Sequence, residues 1–285
     1  MSTDRLKMEL SGALRDESGR QVVPLSVVRE IASSEGRSVR EIEAELLSNG
    51  LVPQRYLRNI GTLGADGQAK LLLSSAVVVS CGGLGGWIVE LLARSGVGRL
   101  TLIDGDVFSE SNLNRQALCT EAALGRNKAE IAAARVNEIN SAVETVTYPV
   151  MLTEDNAKNL LEKNSVAFDA LDNLSSRLLL LKAARDLGIP MIHGAIAGWW
   201  GQVCAAEPGN GLLASLWEGR GEKGIETAVG TPAFTPSAVA SLQVALGIRI
   251  LSGLAGLAGA GKPVPSDLFW LDLEGPGLER LPLKR

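Results

Sequence analysis

The chain has 285 residues, of which 46% are hydrophobic and 4% aromatic, and its formal net charge at pH 7 is −4. This length and apolar content predict a sizeable buried core in one large domain or two smaller ones. The weak acidity, the lack of long like-charge blocks and the scarcity of aromatic side chains argue against nucleic acid and against an anionic membrane as partners.

The sequence also carries information about the compartment. Its first residues contain no apolar signal core, and charged residues or glycines interrupt the apolar stretches before about 18 residues, so we expect neither a signal peptide nor a transmembrane helix. The three cysteines, Cys81, Cys119 and Cys204, are far apart. That spacing suits a reducing cytoplasm and excludes a four-cysteine zinc site within one chain.

Residues 1–54 are predicted to form a small helical appendage. Apolar residues have helical spacing at 27–31 and 39–47, with Ser38 as a candidate N-cap and Gly50 as a candidate stop. Two short helices could form a helix-turn-helix, but a DNA-reading unit should carry a basic surface. We therefore favour an appendage that packs on the main domain or contacts another subunit.

The central stretch has an order of patterns that is typical of a nucleotide-binding unit. An apolar run at 76–80 precedes a glycine-rich turn at 81–86, and a helical pattern at 87–93 follows. A second apolar run, 99–103, then ends at Asp104. This predicts a strand, a phosphate-binding turn, a helix and a second strand that ends in an acid.

The glycines of this turn have a physical purpose. They let the backbone bend sharply and approach a phosphate, while the unpaired N–H groups at the helix start point towards the anion. Asp104 lies 19 residues after Gly85, close to the roughly 20 expected for an acid that binds a ribose hydroxyl. Ser80 replaces the usual first glycine, so a tight strand-to-helix turn that binds nothing remains an alternative.

The rest of the chain alternates strand and helix patterns. This alternation predicts an α/β fold, with a Rossmann-like, mostly parallel sheet covered by helices on both faces and antiparallel strands towards the C-terminus. Residues 208–236 are long, Gly-rich and weakly patterned, which predicts a mobile functional loop. The other predicted elements are a lead into the first strand through Gly61, Gly64 and Gly67, a loop at 105–116, helices at 121–140, 155–163, 175–187 and 236–254, and strands at 144–150, 166–171, 190–193, 195–197, 202–206 and 268–273.

Short motifs then follow one another across about residues 55 to 255. The most specific of them is the string at 111–116, in the loop that follows Asp104, and ordinary dehydrogenases lack it. On these motifs the chain resembles the ThiF/MoeB/HesA family, bacterial relatives of ubiquitin-activating enzymes. The matching segments are Arg55-Tyr56-x-Arg58-Asn59, Gly82-Gly83-Leu84-Gly85, Asp104-Gly105-Asp106, Ser111-Asn112-Leu113-Asn114-Arg115-Gln116, Gly125-Arg126-x-Lys128 and Asp172-Asn173.

The resemblance implies an adenylation domain at 55–285 that uses ATP and magnesium to activate the C-terminal glycine of a ubiquitin-like sulfur-carrier protein, for thiamine, molybdopterin or a related pathway. It implies a homodimer in which Arg58 reaches the neighbouring subunit's site. Arg115 and Lys128 would be further catalytic cations, and Asp172 the magnesium ligand. The implied nucleotide-binding residues are Gly82, Gly83, Gly85, Asp104 (at the ribose), Asp106, Ser111, Asn112, Asn114, Arg115, Gln116, Lys128 and Asn173.

Each implied role has an ordinary structural alternative. Arg58 and Arg115 could form surface salt bridges, and Lys128 could be a solvated charge on a helix. Asp172 could simply cap the helix that begins near Ser175. At the level of the whole chain, the alternatives are a non-catalytic relative that binds nucleotide and carrier, or an NAD(P)-dependent oxidoreductase supported by the glycine turn. Adenylation of a tRNA base is disfavoured by the acidic balance.

Two departures from the family pattern limit what is carried over. The C-x-x-C pairs that hold zinc in many relatives are missing, so no zinc site is expected, and residues 218–236 contain no cysteine for thioester or persulfide chemistry. Adenylation is what remains. Cys81 at a helix start is interpreted as a buried turn residue rather than a thiolate. His193, the only histidine, is interpreted as structural.

Overall fold

In the residues that the structure describes, the N-terminal part of the chain forms a small unit of two helices and three short strands. The computed structural model describes residues 14–17, 19–208, 211–217, 224–254 and 267–282. Within the N-terminal unit the strands lie side by side in the order β1-β2-β3. The elements are β1 (Leu14–Arg15), β2 (Gln21–Val23), α1 (Leu25–Glu35), α2 (Val39–Ser48) and β3 (Val52–Pro53).

Both helices of this unit occur where the sequence predicts them. Ser38 caps α2 as expected: its Oγ accepts the Glu41 N–H at 3.2 Å, and Glu41 Oε2 accepts the Ser38 N–H at 2.9 Å. Such a reciprocal pair satisfies two otherwise unpaired donors. The three short strands were not predicted, because two or three residues are too few to show an alternating pattern.

The main sheet has eight strands in the order β11-β10-β9-β8-β7-β4-β5-β6. Strands β6, β5, β4, β7 and β8 pair in parallel, whereas β8, β9, β10 and β11 pair antiparallel. The predicted fold class is therefore confirmed. The strands are β4 (Ser75–Val79), β5 (Arg99–Ile103), β6 (Glu144–Tyr148), β7 (Val166–Asp169), β8 (Met191–Ala197), β9 (Trp200–Ala206), β10 (Leu268–Asp272) and β11 (Gly277–Leu281).

Helices cover both faces of this sheet. Alternate residues of β4 face opposite sides, so Val78 joins one core cluster and Val77 joins the other. The first cluster is shared with α3 (Ile60–Leu73), α4 (Gly83–Ser95), α5 (Lys128–Ile139) and α10 (Phe234–Leu251). The second is shared with α6 (Glu154–Leu161), α7 (Leu174–Asp186) and α8 (Leu212–Trp217), and a short helix, α9 (Glu226–Val229), lies between α8 and α10.

The predicted strands at 190–193 and 195–197 form the single strand β8, and β11 was not predicted. Three further segments also differ from the sequence expectation. The glycine-containing lead into β4 is the helix α3, kinked at Gly64, where φ is 70°. The predicted helix at 121–140 begins only at Lys128, because Gly125 has φ 77° and Asn127 caps the new helix by accepting the Glu130 N–H. The segment 208–236 contains α8 and α9, while its residues 209–210 and 218–223 lie outside the described part.

Helix α10 is the one described helix that is long and apolar enough to cross a membrane by composition. Half of that stretch is buried within the protein, where α10 packs against α4, β8 and β9. A core helix of a globular domain has this composition because it must be apolar on most of its surface. We therefore attribute the apolarity of α10 to packing.

Candidate active site

A cavity of about 600 Å³ lies at the carboxyl ends of the parallel strands. Val79, Ile103 and Asp169 are aligned across β4, β5 and β7, so the loops that follow these strands meet at one edge. From β4 the chain first adds β5 and β6 on one side of this strand, and later adds β7 and β8 on its other side. Such a switch point is where open α/β sheets bind their ligands.

The glycine-rich turn forms one wall of this cavity. Ser80 has φ 74°, a left-handed conformation that glycine usually provides and that costs other residues about 1 kcal/mol or more. A side-chain carbon on Gly85 would lie 1.8 Å from the Ser80 carbonyl oxygen, so helix α4 can pack against the turn only with glycine there. Gly82, Gly83 and Leu84 line the cavity with the start of α4, whose first N–H groups lack acceptors within the helix.

Asp104 is almost completely buried and braces two loops at once. Its Oδ2 accepts the Cys81 N–H at 2.7 Å, and its Oδ1 accepts the Asp106 N–H at 2.8 Å. Burial raises the pKa of Asp104, while the two backbone donors and the nearby Lys128 oppose this rise. The carboxylate therefore holds the phosphate turn and the following loop in one arrangement.

Lys128 is the first residue of α5 and points a mostly buried ammonium group into the cavity. Its Nζ lies 3.0 Å from Oδ2 of Asp106, a carboxylate that is 60% exposed. The helix start is held by Asn127, whose side-chain amide donates to the carbonyl oxygens of Asp104 and Asp106. A buried cation whose partner can turn to solvent is well suited to meet an anionic ligand.

The segment after Asp106 carries Arg115 and Gln116 into the cavity lining. Arg115 Nη1 donates to the Ser111 carbonyl oxygen at 2.8 Å and to Asn114 Oδ1 at 2.9 Å. Asn112 ends the 3-10 turn Glu110–Asn112 and closes its capping box by accepting the N–H of the N-cap residue, Ser109. Ser111, Asn112 and Asn114 therefore shape this segment, and Arg115 and Gln116 line the cavity.

Asp172 and Asn173 follow β7 at the rim of the cavity. Asn173 is the N-cap of α7, because its Oδ1 accepts the Ser176 N–H at 2.9 Å. The interpretation of Asp172 as the helix cap is therefore wrong. The carboxylate of Asp172 is exposed and touches only its neighbour among the described hydrogen bonds, accepting from Asn173 Nδ2 at 3.2 Å.

The structure brings most of the predicted site residues together. Arg58, by contrast, is exposed at the start of α3, and Gly85 lies in the contact between helix and turn. Together with Ser111, Asn112 and Asn114, these two lie outside the lining of the cavity. The predicted residues that do line it are Gly82, Gly83, Asp104, Asp106, Arg115, Gln116, Lys128, Asp172 and Asn173.

Sequence reasoning missed several lining residues, among them Ala195, Ile196, Thr231 and the two groups that follow. Arg177 on α7 enters the lining and donates to the Leu171 carbonyl oxygen from Nε at 3.1 Å and from Nη2 at 2.6 Å. Its only sequence signal is a position one helical turn after Asn173. An apolar wall at 150–152 follows β6, and the rule that ligands bind beyond the carboxyl ends of parallel strands could have indicated it.

The surroundings of the three cysteines disfavour the thiolate form. All three are free and buried, and burial raises the pKa of the Cys81 thiol well above its usual range and that of Cys204 to about 12. Reactive thiols need the opposite, an environment that stabilises the thiolate. Within the described ranges, no group of three or more His, Cys, Asp or Glu side chains is placed to hold a metal ion.

Solved structures with a similar fold include the E. coli MccB structure with ATP and that of PaaA. The MccB structure has a TM-score of 0.67 at 20% identity, covering 81% of this chain and 72% of that one. PaaA has a TM-score of 0.67 at 20% identity, covering 100% of this chain and 91% of that one. At such identities the likeness concerns the fold alone.

Sequence relatives are closer. The sulfur carrier protein adenylyltransferase of Thermus thermophilus is 32% identical over 252 residues, 81% of this chain and 87% of that protein. The SAMP-activating enzyme E1 of Haloferax volcanii is 34% identical over 202 residues, 69% and 75% respectively. The adenylyltransferase and sulfurtransferase MOCS3 of Mus musculus is 42% identical over 151 residues, which is 52% of this chain but a third (33%) of that protein's length. The ThiF family model matches residues 56–277, and the chain belongs to this family.

Proposed function

We propose that this protein is an ATP-dependent adenylyltransferase that activates the C-terminal glycine carboxylate of a ubiquitin-like sulfur-carrier protein and releases pyrophosphate. The observation that carries the proposal is the convergence of Lys128, Arg115 and the start of α4 on one cavity. The name of the Thermus thermophilus relative supports the same reaction class.

The reaction makes modest demands on acid–base chemistry. The attacking α-carboxylate has an ordinary pKa of about 3.3–3.7 and is ionised at neutral pH, so it needs no general base. A carboxylate oxygen bonds to the α-phosphorus while the bond to the bridging oxygen breaks, and pyrophosphate leaves with those electrons. The difficulty is bringing two anions together, which fixed cations and backbone donors ease by neutralising developing charge.

The residues of the cavity match these demands. The start of α4, with Gly82 and Gly83, is suited to bind phosphate oxygens through N–H groups. Lys128 exchanges Asp106 for phosphate oxygens, because the Asp106 carboxylate is exposed and can turn to water. In this proposal the Asp104 carboxylate also accepts a hydrogen bond from a ribose hydroxyl, through lone pairs that its two backbone donors leave free.

The remaining predicted residues act at the edges of this arrangement. Ser111 and Asn114 hold Arg115 in place, since its guanidinium donates to both. Asn112 fixes the 3-10 turn that contains Ser111. Gln116 packs against the phosphate turn, because a side-chain carbon on Gly82 would lie 3.5 Å from its Nε2.

A magnesium ion fits the rim of the cavity. Asp172 presents an exposed carboxylate there beside Asn173, whose side-chain oxygen is engaged in capping α7. Magnesium in nucleotide sites is commonly held by one or two carboxylates, substrate phosphates and water, so a cage of protein ligands is not required. When bound with ATP, the ion would neutralise charge on the phosphates.

Arg58 enters the proposal through a second copy of the chain. It is exposed and lies outside the cavity lining, so within one subunit it has no part in the site. We propose a homodimer in which Arg58 reaches the partner's cavity. Arg58→Ala and Asp172→Ala chains should each be inactive, whereas heterodimers of the two should regain one intact site and about half the wild-type activity per dimer. Verified heterodimers that stay inactive would refute the shared site.

Pyrophosphate exchange tests the proposed activity directly. Labelled pyrophosphate should enter ATP only when a ubiquitin-like carrier ending in Gly-Gly is present, because exchange requires reversible formation of the acyl adenylate. The matched control is the same carrier without its last glycine. A protein that binds ATP but exchanges nothing with a panel of such carriers would favour the non-catalytic alternative, and stabilisation by NAD(P) rather than ATP would favour the oxidoreductase.

A further inference from the structure

His193 lies beneath the turn that carries Asp172. It is the only histidine of the chain and is fully buried on β8. Its Nδ1 lies 2.6 Å from Oδ2 of Asp169, and its Nε2 lies 3.2 Å from Nε2 of Gln202. An amide nitrogen can only donate. The ring therefore accepts at Nε2 and donates from Nδ1 to the Asp169 carboxylate.

Asp169 connects this histidine to the cavity rim. It ends β7, is fully buried, and accepts the Leu171 N–H on its other oxygen, Oδ1, at 3.0 Å. Arg177 donates to the carbonyl oxygen of Leu171. The Nε of Arg177 also lies 3.8 Å from Asp169 Oδ2. Leu171 is thus fixed at both its N–H and its carbonyl, directly before Asp172.

The surroundings of His193 favour the neutral ring. Burial lowers the pKa of His193, with Arg177 adding to that effect and the Asp169 carboxylate opposing it. A neutral ring has one donor and one acceptor, and here both are used. Removal of the ring would leave a buried carboxylate oxygen short of its donor. Asp169 could recover one by shifting, or by drawing Arg177 away from the Leu171 carbonyl oxygen, and either change disturbs the turn.

We propose that His193 is a positioning residue which, through Asp169, fixes the turn so that the Asp172 carboxylate stays at the cavity rim. This rests on the proposed role of Asp172 as the magnesium ligand. A simple packing role is the competing explanation, since the ring also makes an edge contact with Trp217 at 5.1 Å between centroids. The two explanations differ when His193 is replaced. A positioning role predicts that the metal-dependent part of nucleotide binding changes, whereas a packing role predicts that it does not.

The experiment compares two variants of similar size. His193→Asn keeps an amide donor close to the position of Nδ1, whereas His193→Leu keeps the volume and removes the donor. Affinity for a non-hydrolysable ATP analogue is measured by calorimetry with magnesium and with a chelator, and the ratio reports metal coupling without turnover. Asp172→Asn provides the reference for lost coupling. Thr101→Val on β5, which removes a buried hydrogen bond to Asn164, provides the control.

The wild-type protein should bind the analogue at least tenfold more tightly with magnesium. In His193→Leu, magnesium should tighten binding of the analogue no more than about threefold. In His193→Asn and Thr101→Val, the ratio of the two affinities should stay within about twofold of the wild-type ratio. A wild-type ratio in His193→Leu, an equal loss in His193→Asn, or no metal coupling in the wild type would each overturn the proposal.

A variant that fails to fold does not end the test. If His193→Leu does not fold, Gln202→Met removes only the donor to Nε2 and should reduce the ratio about threefold, while an unchanged ratio there counts against the proposal. Pyrophosphate exchange by the wild type is a separate measurement. Metal coupling without exchange would refute adenylation and leave the positioning role standing.

Discussion

Asp104 and Glu43 are both buried carboxylates, but they lie in different kinds of surroundings. Asp104 directly follows a parallel strand, accepts two backbone N–H groups and borders a cavity that Lys128 also lines. Glu43 lies on α2 among side chains, with Arg55 Nε 3.0 Å from its Oε1 but not aligned for a hydrogen bond. Burial raises the pKa of both groups, and that of Glu43 reaches about 7.

The surroundings of Glu43 join the N-terminal unit to the main domain. Arg55 donates to Asn140 Oδ1, and Asn140 Nδ2 donates to the Tyr56 hydroxyl at 2.9 Å and to the Ala93 carbonyl oxygen at 3.0 Å. The network thus connects α2, α4 and α5 through side chains. A strand end, in contrast, supplies backbone donors and leaves room for a ligand. We therefore expect charge changes near Asp104 to affect chemistry, and those at Glu43 to affect stability.

The largest effect should come from Gly85→Ala, which tests whether backbone packing builds the phosphate turn. The added carbon would lie 1.8 Å from the Ser80 carbonyl oxygen and 3.4 Å from Ala170 Cβ, and backbone atoms cannot yield as a flexible side chain can. We expect a loss of more than about 3 kcal/mol in the free energy of unfolding, measured by urea denaturation.

Gly83→Ala is the matched control for this substitution. A side-chain carbon there would approach only Pro236, at 3.9 Å, and would face the cavity. It should keep the free energy of unfolding within about 1 kcal/mol of wild type and reduce ATP binding instead. Equal stability losses in both variants would show that the tight contact at Gly85 is not what builds the turn.

The next effect concerns Asp172→Asn. The substitution keeps the shape of an exposed side chain that caps no helix, so stability should stay within about 0.5 kcal/mol of wild type. Pyrophosphate exchange at fixed magnesium should fall at least 100-fold, which corresponds to about 2.7 kcal/mol of lost transition-state stabilisation.

Asp186→Asn at the end of α7 is the control for Asp172→Asn. Its carboxylate pairs only with the exposed Arg185 among the described ion pairs, at 3.1 Å, so both exchange and stability should remain at wild-type values. Exchange near the wild-type rate in Asp172→Asn would remove this carboxylate from the site.

The fold and the cavity were predictable where a local pattern reports a local structure. The apolar runs before the glycine turn and before Asp104 are buried on both faces, as parallel strands must be, so their hydrophobicity identified them. The glycines were a good guide to the turn and a poor one to α3. Only Gly64 leaves the helical conformation there, while Gly67 continues the helix against Ser252.

Features that depend on tertiary contact were not predictable. Strand β11 was missed because all five of its residues are exposed at the edge of the sheet and carry no apolar pattern. The choice of Asn173 rather than Asp172 as the cap of α7 depends on where the helix begins, which patterns locate only within a few residues. Arg177 enters the cavity lining only because α7 packs beside β7.

The last effect, which is spread over several pH units and completes the comparison, is the pH dependence of stability due to Glu43. Its folded-state pKa of about 7 lies above the ordinary value of 4.5, because burial outweighs the attraction of Arg55. Between these two values the folded protein holds a proton that the unfolded chain has released. The contribution to stability is therefore complete below about pH 4.5 and is lost as the pH rises towards and through 7, by up to about 3 kcal/mol.

Glu43→Gln should remove this dependence, because the amide cannot titrate. Urea denaturation from pH 4.5 to 8 should show a wild-type free energy of unfolding that falls relative to that of the variant, while pyrophosphate exchange stays unchanged. Glu45→Gln on the same helix, which breaks a half-exposed pair with Arg37, should keep the wild-type slope. A slope that survives in Glu43→Gln would assign the titration to another group. A loss of exchange in a folded Glu43→Gln would mean that this junction, like the surroundings of Asp104, serves the chemistry.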